Sequence, residues 1–336
     1  MIDQKKLDKI DKEKMYQIYD TWPEIAEKSY NKKFAATEFG EIDHIVFAGM
    51  GGSGALGDIF ASILSKKDIH VRVVKGYHLP KTVDSNTLVI VTSVSGNTVE
   101  ALNILEQVNK INCKCIGFSS GGIMEEFCIK NNIEYRKIPQ IHSPRASFST
   151  FLFSMLKILG PTLSIDENHI LESISELKKL KNKINTSNLT ESNESLSISN
   201  WIEGIPLIYY PVGLEAAAIR FKNSLQENTK IHAITENVIE ACHNGIVSWE
   251  KNSNVQPILL QGKDDHFKTK ERWVILKEYF NKKGIAYKEI NSIDGNILSK
   301  IICLIYLCDY TSIYLSVVRD IDPSPVESIA FIKKRI

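Results

Sequence analysis

Short apolar runs alternate with longer stretches of helical spacing along this chain of 336 residues. The apolar runs predict short strands, at 45–48, 70–74, 87–92, 114–118, 134–137, 206–211, 255–260 and 286–290. The helical stretches lie between and after them, at 53–65, 98–109, 122–131, 214–227, 268–282 and 296–318. Regular alternation of this kind favours a parallel sheet with helices on both faces. The pattern therefore predicts an α/β protein in which this arrangement occurs twice.

The remaining segments set the predicted domain boundaries. Helical spacing over 3–37 predicts a helix that wraps the first domain, and residues 147–180 also have helical spacing. Residues 181–200 are rich in Asn, Ser, Thr and Lys, which predicts a polar linker. The tail 325–336 predicts a short amphipathic helix. We therefore expect an N-terminal helix and first domain over 1–157, a helical crossover and linker over 158–200, and a second domain over 201–336.

A glycine-rich segment follows the first predicted strand, with the sequence Gly49-Met50-Gly51-Gly52-Ser53-Gly54. Glycines let a ligand approach the backbone, and the amide groups at the start of the next helix bind anions. The same spacing occurs in dinucleotide-binding loops, which need a carboxylate about 20 residues further on. Here the second strand ends in Lys75-Gly76, although Lys75 or Arg72 could receive a 2′-phosphate. A phosphorylated dinucleotide is therefore disfavoured without being excluded.

A hydroxyl-rich segment, Ser93-Val94-Ser95-Gly96-Asn97-Thr98, follows the third predicted strand. Hydroxyl groups and free amides at a strand-to-helix turn suit the oxygens of a phosphate group. The alternative is a helix N-cap, which Ser, Asn and Thr also favour, but one hydroxyl would serve that purpose. Together the two segments predict a site for a small phosphorylated molecule.

Composition narrows the class of protein. Lys and Arg number 41 against 40 Asp and Glu, and this balance argues against a nucleic-acid surface. The charged N-terminus predicts no secretion signal, and the apolar run 301–307 is too short to cross a membrane, so we expect a cytoplasmic protein without a membrane partner. The six cysteines include no second pair at ligand spacing, so we expect no zinc or other metal site.

Four residues are candidates for acid–base or charge-stabilising chemistry, namely Arg145, Glu227, His243 and Lys333. Each also has a simpler explanation. Glu227 is predicted near a helix end, where a carboxylate is often solvated, and His243 stands beside Cys and Asn as a structural histidine often does. A lysine such as Lys333 is favoured near a helix C-terminus by the helix dipole. Residue types alone therefore predict a binding site more firmly than a catalytic one.

The chain resembles the bifunctional phosphoglucose/phosphomannose isomerases, which belong to the sugar isomerase (SIS) superfamily. The resemblance extends from about Gly49 to Lys333, nearly the whole chain. Its motifs, in order, are Gly51-Gly52-Ser53, Ser93-x-Ser95-Gly96-Asn97-Thr98, Pro144-Arg145, Glu227-Asn228, His243-Asn244 and Asp309-Tyr310-x-Ser312-x-Tyr314-Leu315. It implies two SIS-type three-layer α/β/α domains with parallel sheets, in a flavodoxin-like doubly wound architecture.

The resemblance also implies a reaction, the interconversion of glucose 6-phosphate or mannose 6-phosphate with fructose 6-phosphate through a cis-enediol. Glu227 would be the base that moves the proton, His243 with Lys333 would open the sugar ring, and Arg145 would stabilise the enediolate. The phosphate would be held by Ser93, Ser95 and Thr98, and the sugar end would be lined by Gly51, Gly52 and Ser53. No metal or nucleotide cofactor is implied.

In the resembled family the ring-opening histidine comes from the neighbouring subunit, so the resemblance implies a homodimer with His243 acting in trans. The alternative function is a non-catalytic SIS module that binds sugar phosphates as a regulator. Such a module would keep the serine-rich segment and would need none of the candidate catalytic residues. A different enzyme of the superfamily, acting on amino-sugar phosphates, is a third possibility.

Overall fold

The computed structural model describes residues 2–336, which form two compact units. The C-terminal unit consists of the segment that ends at Asp20, which contains α1 (Gln4–Ile10) and α2 (Met15–Asp20), together with Ser175–Ile332. The N-terminal unit consists of Thr21–Ile174 and Lys333–Ile336.

A five-stranded parallel sheet forms the centre of the N-terminal unit. Its strands are β1 (His44–Ala48), β2 (His70–Val74), β3 (Thr87–Ser93), β4 (Lys114–Ser119) and β5 (Glu134–Lys137). Its helices are α3 (Trp22–Tyr30), α4 (Gly51–Leu64), α5 (Val99–Val108), α6 (Gly122–Lys130) and α7 (Phe148–Leu159), and α8 (Glu167–Ile184) contains the boundary between the units. The strand order is β2-β1-β3-β4-β5, and every pair is parallel. Every residue of β1 and β3 is buried, as expected for central strands that are covered on both faces.

The C-terminal unit contains a second, four-stranded parallel sheet. Its strands are β6 (Ile205–Tyr210), β7 (Ile234–Asn237), β8 (Val255–Gln261) and β9 (Lys288–Asn291). Its helices are α9 (Glu194–Trp201), α10 (Glu215–Thr229), α11 (Val238–Ala241), a 3-10 helix (Gly245–Glu250), α12 (Phe267–Lys283) and α13 (Ile297–Val318). Helix α14 (Glu327–Lys333) also belongs to this unit, except for its last residue. The strand order is β7-β6-β8-β9.

The predicted fold class is confirmed. In each sheet the first strand along the chain lies between the second and the third, and the following strands continue outward from the third. This is the order of flavodoxin-like doubly wound folds, in which ligands bind beyond the carboxyl ends of the strands. The connections from β1 to α4 and from β3 to α5 both lie at that edge of the N-terminal sheet.

Residues 181–200 differ from the predicted polar linker, because α8 and α9 cover much of this segment. Asn193 caps α9 and donates through its side chain to the carbonyl oxygen of Ile184 at 3.0 Å. Ser195 is buried and donates to the carbonyl oxygen of Leu307 at 2.8 Å. The polar side chains therefore form caps and buried hydrogen bonds, which their composition alone does not distinguish from a solvated linker.

The ends of the predicted first domain also differ from the observed units. The stretch 3–37 forms α1, α2 and α3, and the first two of these belong to the C-terminal unit. Strand β7 was not predicted, because Ile234 is its one large apolar residue and no alternation is visible in so short a strand. The domain boundaries drawn from the sequence remain a prediction.

Helix α13 corrects the expectation that no segment reaches membrane-spanning length. It has 22 residues, and a window within it has a mean hydropathy of 1.8, enough to cross a membrane by length and composition. Of that window, 94% is buried inside the protein, and a buried core helix passes the same test. The uninterrupted apolar run 301–307 is only part of this helix, because a buried helix also accommodates polar residues. The cytoplasmic location remains a prediction.

Candidate active site

The glycine loop, residues 49–54, connects β1 to α4, and its glycines serve different purposes. A Cβ atom at Gly49 would lie 2.9 Å from the carbonyl oxygen of Thr92, and one at Gly54 would lie 2.8 Å from the carbonyl oxygen of Gly49. These two glycines therefore let the loop pack closely. Gly51 has a φ of +54°, and a Cβ there would meet nothing within 4 Å. Of these three glycines, Gly51 leaves open space for a ligand.

Lys75, which follows the last residue of β2, is one of the two residues that could receive the 2′-phosphate of a dinucleotide. The Lys75 ammonium group lies 2.6 Å from a carboxylate oxygen of Asp58 on α4. Burial raises the pKa of Asp58, and the ion pair with Lys75 opposes that shift. Lys75 is therefore already paired with a partly buried carboxylate of its own unit. An ammonium group held in this ion pair is less available to bind the 2′-phosphate of a dinucleotide.

The serine loop, residues 93–98, connects β3 to α5 and is held together by its own hydroxyl groups. The hydroxyls of Ser93 and Thr98 share a hydrogen bond of 2.8 Å, and the amide of Gly96 donates to Ser93 at 3.1 Å. Ser95 accepts from the amide of Asn97 at 3.3 Å. Thr98 occupies the N-cap position of α5 without a side-chain cap hydrogen bond. The hydroxyls therefore shape the loop and do not cap the helix, and Ser93 is buried while Ser95 and Thr98 are half-buried.

The two loops lie side by side, because β1 and β3 are paired neighbours. The hydroxyl of Ser53, at the start of α4, accepts a hydrogen bond from the amide of Val94 at 3.3 Å. Ser53 is buried, and Gly52 beside it is half-buried. The predicted phosphate-binding and sugar-lining segments of the N-terminal unit are therefore brought together at the carboxyl edge of its sheet.

The loop that connects β4 to α6 packs against the serine loop. Gly96 has a φ of +73°, and a Cβ there would lie 1.7 Å from the carbonyl oxygen of Gly121. The Asn97 side chain accepts from the amide of Ile123 at 3.0 Å, at the start of α6. The serine loop is thus fixed by backbone packing that tolerates no side chain at Gly96.

Arg145 lies in the turn before α7 and is 5% exposed. Ser147 closes this turn, because its hydroxyl donates to the carbonyl oxygen of Ser143 at 2.8 Å. The guanidinium group is permanently charged, and its burial in a defined turn is more consistent with a specific role than with a solvated surface charge.

Glu227 lies in the last turn of α10, where it is half-buried. It lines a cleft of about 740 Å³ together with His232 and residues 325–329 of the C-terminal unit. Lys230 is the C-cap of α10, with a φ of +58°, and it donates to the carbonyl oxygens of Glu227 at 2.5 Å and Pro323 at 3.1 Å. The structure therefore places the candidate base on the wall of a cleft large enough for a small ligand.

His243 lies at the other end of β7 from Glu227. Helix α10 ends before β7 and α11 follows it, so Glu227 precedes the strand and His243 follows it. His243 is exposed, and it is not among the residues that line the cleft at Glu227. The side chain of Asn244, which follows it, donates to Glu240 at 2.8 Å. The C-terminal unit does not bring its two candidate catalytic residues together.

Lys333 is the last residue of α14 and is exposed. No residue of α14 is buried, although the predicted amphipathic helix is present. The exposed side chains of this helix include Phe331 and Ile332, each 58% exposed.

Sequence analysis missed Arg220, which lies in the middle of α10 and is 2% exposed. It forms an ion pair with Asp309 of α13, with an Nη2–Oδ2 distance of 2.7 Å. A signal was present, because Arg220 stands among Ala216, Ala217 and Phe221 on the buried face of a helix. A charged residue on such a face is almost always paired.

The chain is similar to proteins that contain SIS domains. Residues 38–157 match the SIS domain family, and residues 191–336 match the family described as bacterial phospho-glucose isomerase C-terminal SIS domain. Among solved structures, the C-terminal domain of glucosamine-fructose-6-phosphate aminotransferase from Francisella tularensis aligns with a TM-score of 0.68 at 16% identity, over 91% of this chain and 96% of that one. A likeness at that identity shows the fold, and with the family matches it defines a protein of two SIS domains.

Curated relatives narrow the class to a family. The bifunctional phosphoglucose/phosphomannose isomerase of Caldicellulosiruptor bescii is 31% identical over 336 aligned residues, which cover 96% of this chain and 98% of the relative. The protein of the same name from Thermoplasma acidophilum is 30% identical, over 88% of this chain and 91% of the relative. The chain belongs to the bifunctional phosphoglucose/phosphomannose isomerase family.

Proposed function

We propose that this chain is an aldose–ketose isomerase that interconverts glucose 6-phosphate and mannose 6-phosphate with fructose 6-phosphate through a cis-enediol. The observation that carries the proposal is the position of Glu227. It is a half-buried carboxylate on the wall of a 740 Å³ cleft, within the segment that matches the isomerase C-terminal domain. Family membership favours this function over a binding module without catalytic activity.

The proposed reaction needs one base that reaches both C1 and C2 of the open sugar. Glu227 removes the proton from C2 of the aldose and returns it to C1, while the proton on O2 is lost and O1 gains one, which leaves the ketose. A positioned general base of this kind contributes about 10²- to 10⁴-fold to the rate. Arg145 stabilises the negative charge that develops on the enediolate oxygen, as a permanent cation in a turn that holds it in place.

The phosphate group is assigned to the serine loop. Ser95 and Thr98 are half-buried, and the first amides of α5 have no side-chain cap at Thr98. Helix N-termini with free amides favour anions. Ser93 contributes by shaping the loop, because its hydroxyl already bonds within it. Gly51, Gly52 and Ser53 line the sugar end, and the proposed chemistry uses neither a metal nor a nucleotide.

Ring opening is assigned to His243, assisted by Lys333, with His243 supplied by a second copy of the chain. The support for this arrangement is the separation of Glu227 and His243 by strand β7, together with the exposure of His243. An exposed histidine remote from the base of its own chain is available to the site of a partner. We therefore propose a homodimer that shares its sites.

The function is tested with purified protein that has been treated with a chelator. Coupled assays should detect conversion of fructose 6-phosphate to both glucose 6-phosphate and mannose 6-phosphate. Binding of the same sugar phosphates without any conversion would support the non-catalytic module and overturn the proposed function. Activity on one epimer alone would retain the isomerase and remove the dual specificity.

The shared site is tested by mixing two inactive variants, Glu227→Gln and His243→Ala, under conditions that exchange subunits. If His243 acts in trans, mixed dimers contain one intact site, and up to about one quarter of the wild-type activity should return. Each variant kept alone through the same exchange step is the control. If subunit exchange is demonstrated and no activity returns, the histidine acts within its own chain.

A further inference from the structure

Helices α10 and α13 are joined by a buried charged pair inside the C-terminal unit. The side chains of Arg220 and Asp309 are 3% and 0% exposed. The guanidinium group donates to the carboxylate through Nη2 at 2.7 Å and through Nε at 3.2 Å. The hydroxyls of Ser224, at 2.5 Å, and Tyr19, at 3.1 Å, donate to the same carboxylate. Asp309 therefore gathers donors from α10 and from α2.

The same contact continues one turn further along both helices. The side chain of Asn228 on α10 donates to the hydroxyl of Ser312 on α13 at 2.8 Å. Ser312 in turn donates to the carbonyl oxygen of Asp309 at 2.6 Å. Arg220, Ser224 and Asn228 are spaced by four residues, so they form one polar row on the buried face of α10. This row ends at the residue next to Glu227.

A buried ion pair of this kind is weak evidence for a role in stability. Apolar side chains of similar volume often hold two helices together at least as well, because they avoid the cost of desolvating two charges. Directional hydrogen bonds fix the rotation and register of one helix against the other, and apolar packing does so less strictly. The group near the end of α10 that depends on its rotation and register is the carboxylate of Glu227.

Electrostatics connect the same residues. Burial by itself would lower the pKa of the Arg220 guanidinium, but the charge of Asp309, with Tyr19 and Glu227 contributing, raises it instead. The charge of Glu227 therefore acts on Arg220, although Glu227 lies two turns further along the helix.

We propose that Arg220 and Asp309 are positioning residues that hold the carboxylate of Glu227 in its place on the cleft wall. They act through the polar row that fixes α10 on α13 and do not touch the substrate. This inference rests on the proposed function, because it assigns the pair a task in the isomerase reaction.

The test replaces the pair by apolar residues of similar volume, in the double variant Arg220→Met/Asp309→Leu. This change leaves neither charge buried alone, so the protein should fold. The hydroxyls of Ser224 and Tyr19 lose their acceptor, so we expect the unfolding transition at a somewhat lower urea concentration than in the wild type. Displacement of a catalytic group by about 1 Å can cost about 100-fold in rate. We therefore expect kcat for fructose 6-phosphate to fall about 10- to 100-fold, with KM changed less than about threefold.

A matched control is Tyr314→Phe, also on α13. It removes the buried hydrogen bond from Tyr314 to the carbonyl oxygen of Ile184, 2.7 Å long, on a face of α13 that contacts other elements. We expect this variant to unfold at lower urea concentration and to keep its kcat. A double variant that folds and keeps kcat within about twofold of the wild type would overturn the inference. So would a loss of kcat in Tyr314→Phe equal to that of the double variant.

Ser224→Ala keeps both charges and removes one hydrogen bond of the row, so it remains informative if the double variant does not fold. We expect a loss of kcat of about threefold or more at unchanged KM, and an unchanged kcat in this variant would count against the inference if the double variant is unfolded. Failure of the proposed function is distinguishable, because it appears as an inactive wild type. That result would remove the inference along with the function.

Discussion

The two units share one topology and differ in what they place at the ends of its elements. Their sheets have the same order over their first four strands, β2-β1-β3-β4 and β7-β6-β8-β9. In the N-terminal unit, glycine-rich and hydroxyl-rich loops follow β1 and β3. In the C-terminal unit, the corresponding connection from β6 to α10 is Pro211-Val212-Gly213, which has no hydroxyl group. The same fold therefore carries a hydroxyl-rich edge, the proposed phosphate site, in one unit and has no hydroxyl in the corresponding connection of the other.

In the C-terminal unit the candidate base lies at the opposite end of the helix that follows the first strand. Glu215 begins α10 at the edge where the N-terminal unit has its loops, and Glu227 lies 12 residues later, about 18 Å along the axis. The cleft at Glu227 is formed by the last turn of α10 and by residues 325–329. In the proposed function the C-terminal unit therefore contributes its base from a different part of the same topology.

The interiors of the two units also differ. In the N-terminal unit, apolar residues of β1, β3 and α5 form a continuous core cluster. In the C-terminal unit, α13 buries Asp309 and the tyrosines Tyr306, Tyr310 and Tyr314. The hydroxyls of Tyr306 and Tyr314 donate to the carbonyl oxygens of Tyr19 and Ile184, each at 2.7 Å. The motif on α13 that resembles the isomerase family is therefore an internal framework in the unit that holds Glu227.

The largest effect is expected from Glu227→Gln, which tests whether the C-terminal unit supplies the base. The amide is nearly isosteric and cannot accept the proton, so kcat should fall about 10³-fold and solvent exchange at C2 should be lost. Binding of sugar phosphate should remain within about threefold of the wild type, because the serine loop in the N-terminal unit is unchanged. Kinetics, exchange followed by NMR and calorimetric binding provide the three measurements.

Glu215→Gln is the matched control for this prediction, since it makes the same change at the exposed beginning of the same helix. It should leave kcat and KM unchanged. Near-normal exchange in Glu227→Gln would mean that another residue is the base. It would contradict the proposal that the C-terminal unit supplies the base through Glu227.

The parts of the fold that sequence predicted are those with a strong local signal. Central strands such as β3 are continuous apolar runs because both faces are covered, and the loops that follow them have the glycines and hydroxyls that tight turns require. Both sheets, their parallel strands and the proximity of the two loops followed from these signals. Edge strand β7 gave no such signal, because its four residues have little apolar surface to bury.

The candidate site was harder to predict because its organisation depends on tertiary contacts. Glu227 was one of four candidates by residue type and received the role of base only from the family resemblance, because nothing local distinguishes it from a solvated helix-end carboxylate. Arg220 and Asp309 are 89 residues apart, and their pairing depends on how α10 packs on α13. Likewise, the separation of Glu227 and His243 depends on β7, which the sequence did not reveal. The sequence therefore predicted which side chains could do chemistry, and it did not predict how the fold arranges them.

A smaller effect is expected from paired glycine substitutions that compare the two units directly. Gly96→Ala would place a Cβ 1.7 Å from the carbonyl oxygen of Gly121 at a φ of +73°, so the serine loop must move. Gly213→Ala in the connection from β6 to α10 has a φ of +96° and meets nothing within 4 Å, so it suffers backbone strain alone. That strain costs about 1 kcal/mol, and both variants should therefore unfold at somewhat lower urea concentration, Gly96→Ala more so.

The variants Gly96→Ala and Gly213→Ala should differ in their affinity for substrate. Loss of one or two charge-assisted hydrogen bonds to the phosphate costs about 1.5–3 kcal/mol, so Gly96→Ala should raise KM for fructose 6-phosphate about 10- to 100-fold. Gly213→Ala should leave KM unchanged, because its connection has no hydroxyl group and no part in the proposed phosphate site. Inorganic phosphate, tested as a competitive inhibitor, should lose potency in Gly96→Ala by a similar factor. Equal KM values in the two variants would contradict the assignment of the phosphate to the N-terminal unit.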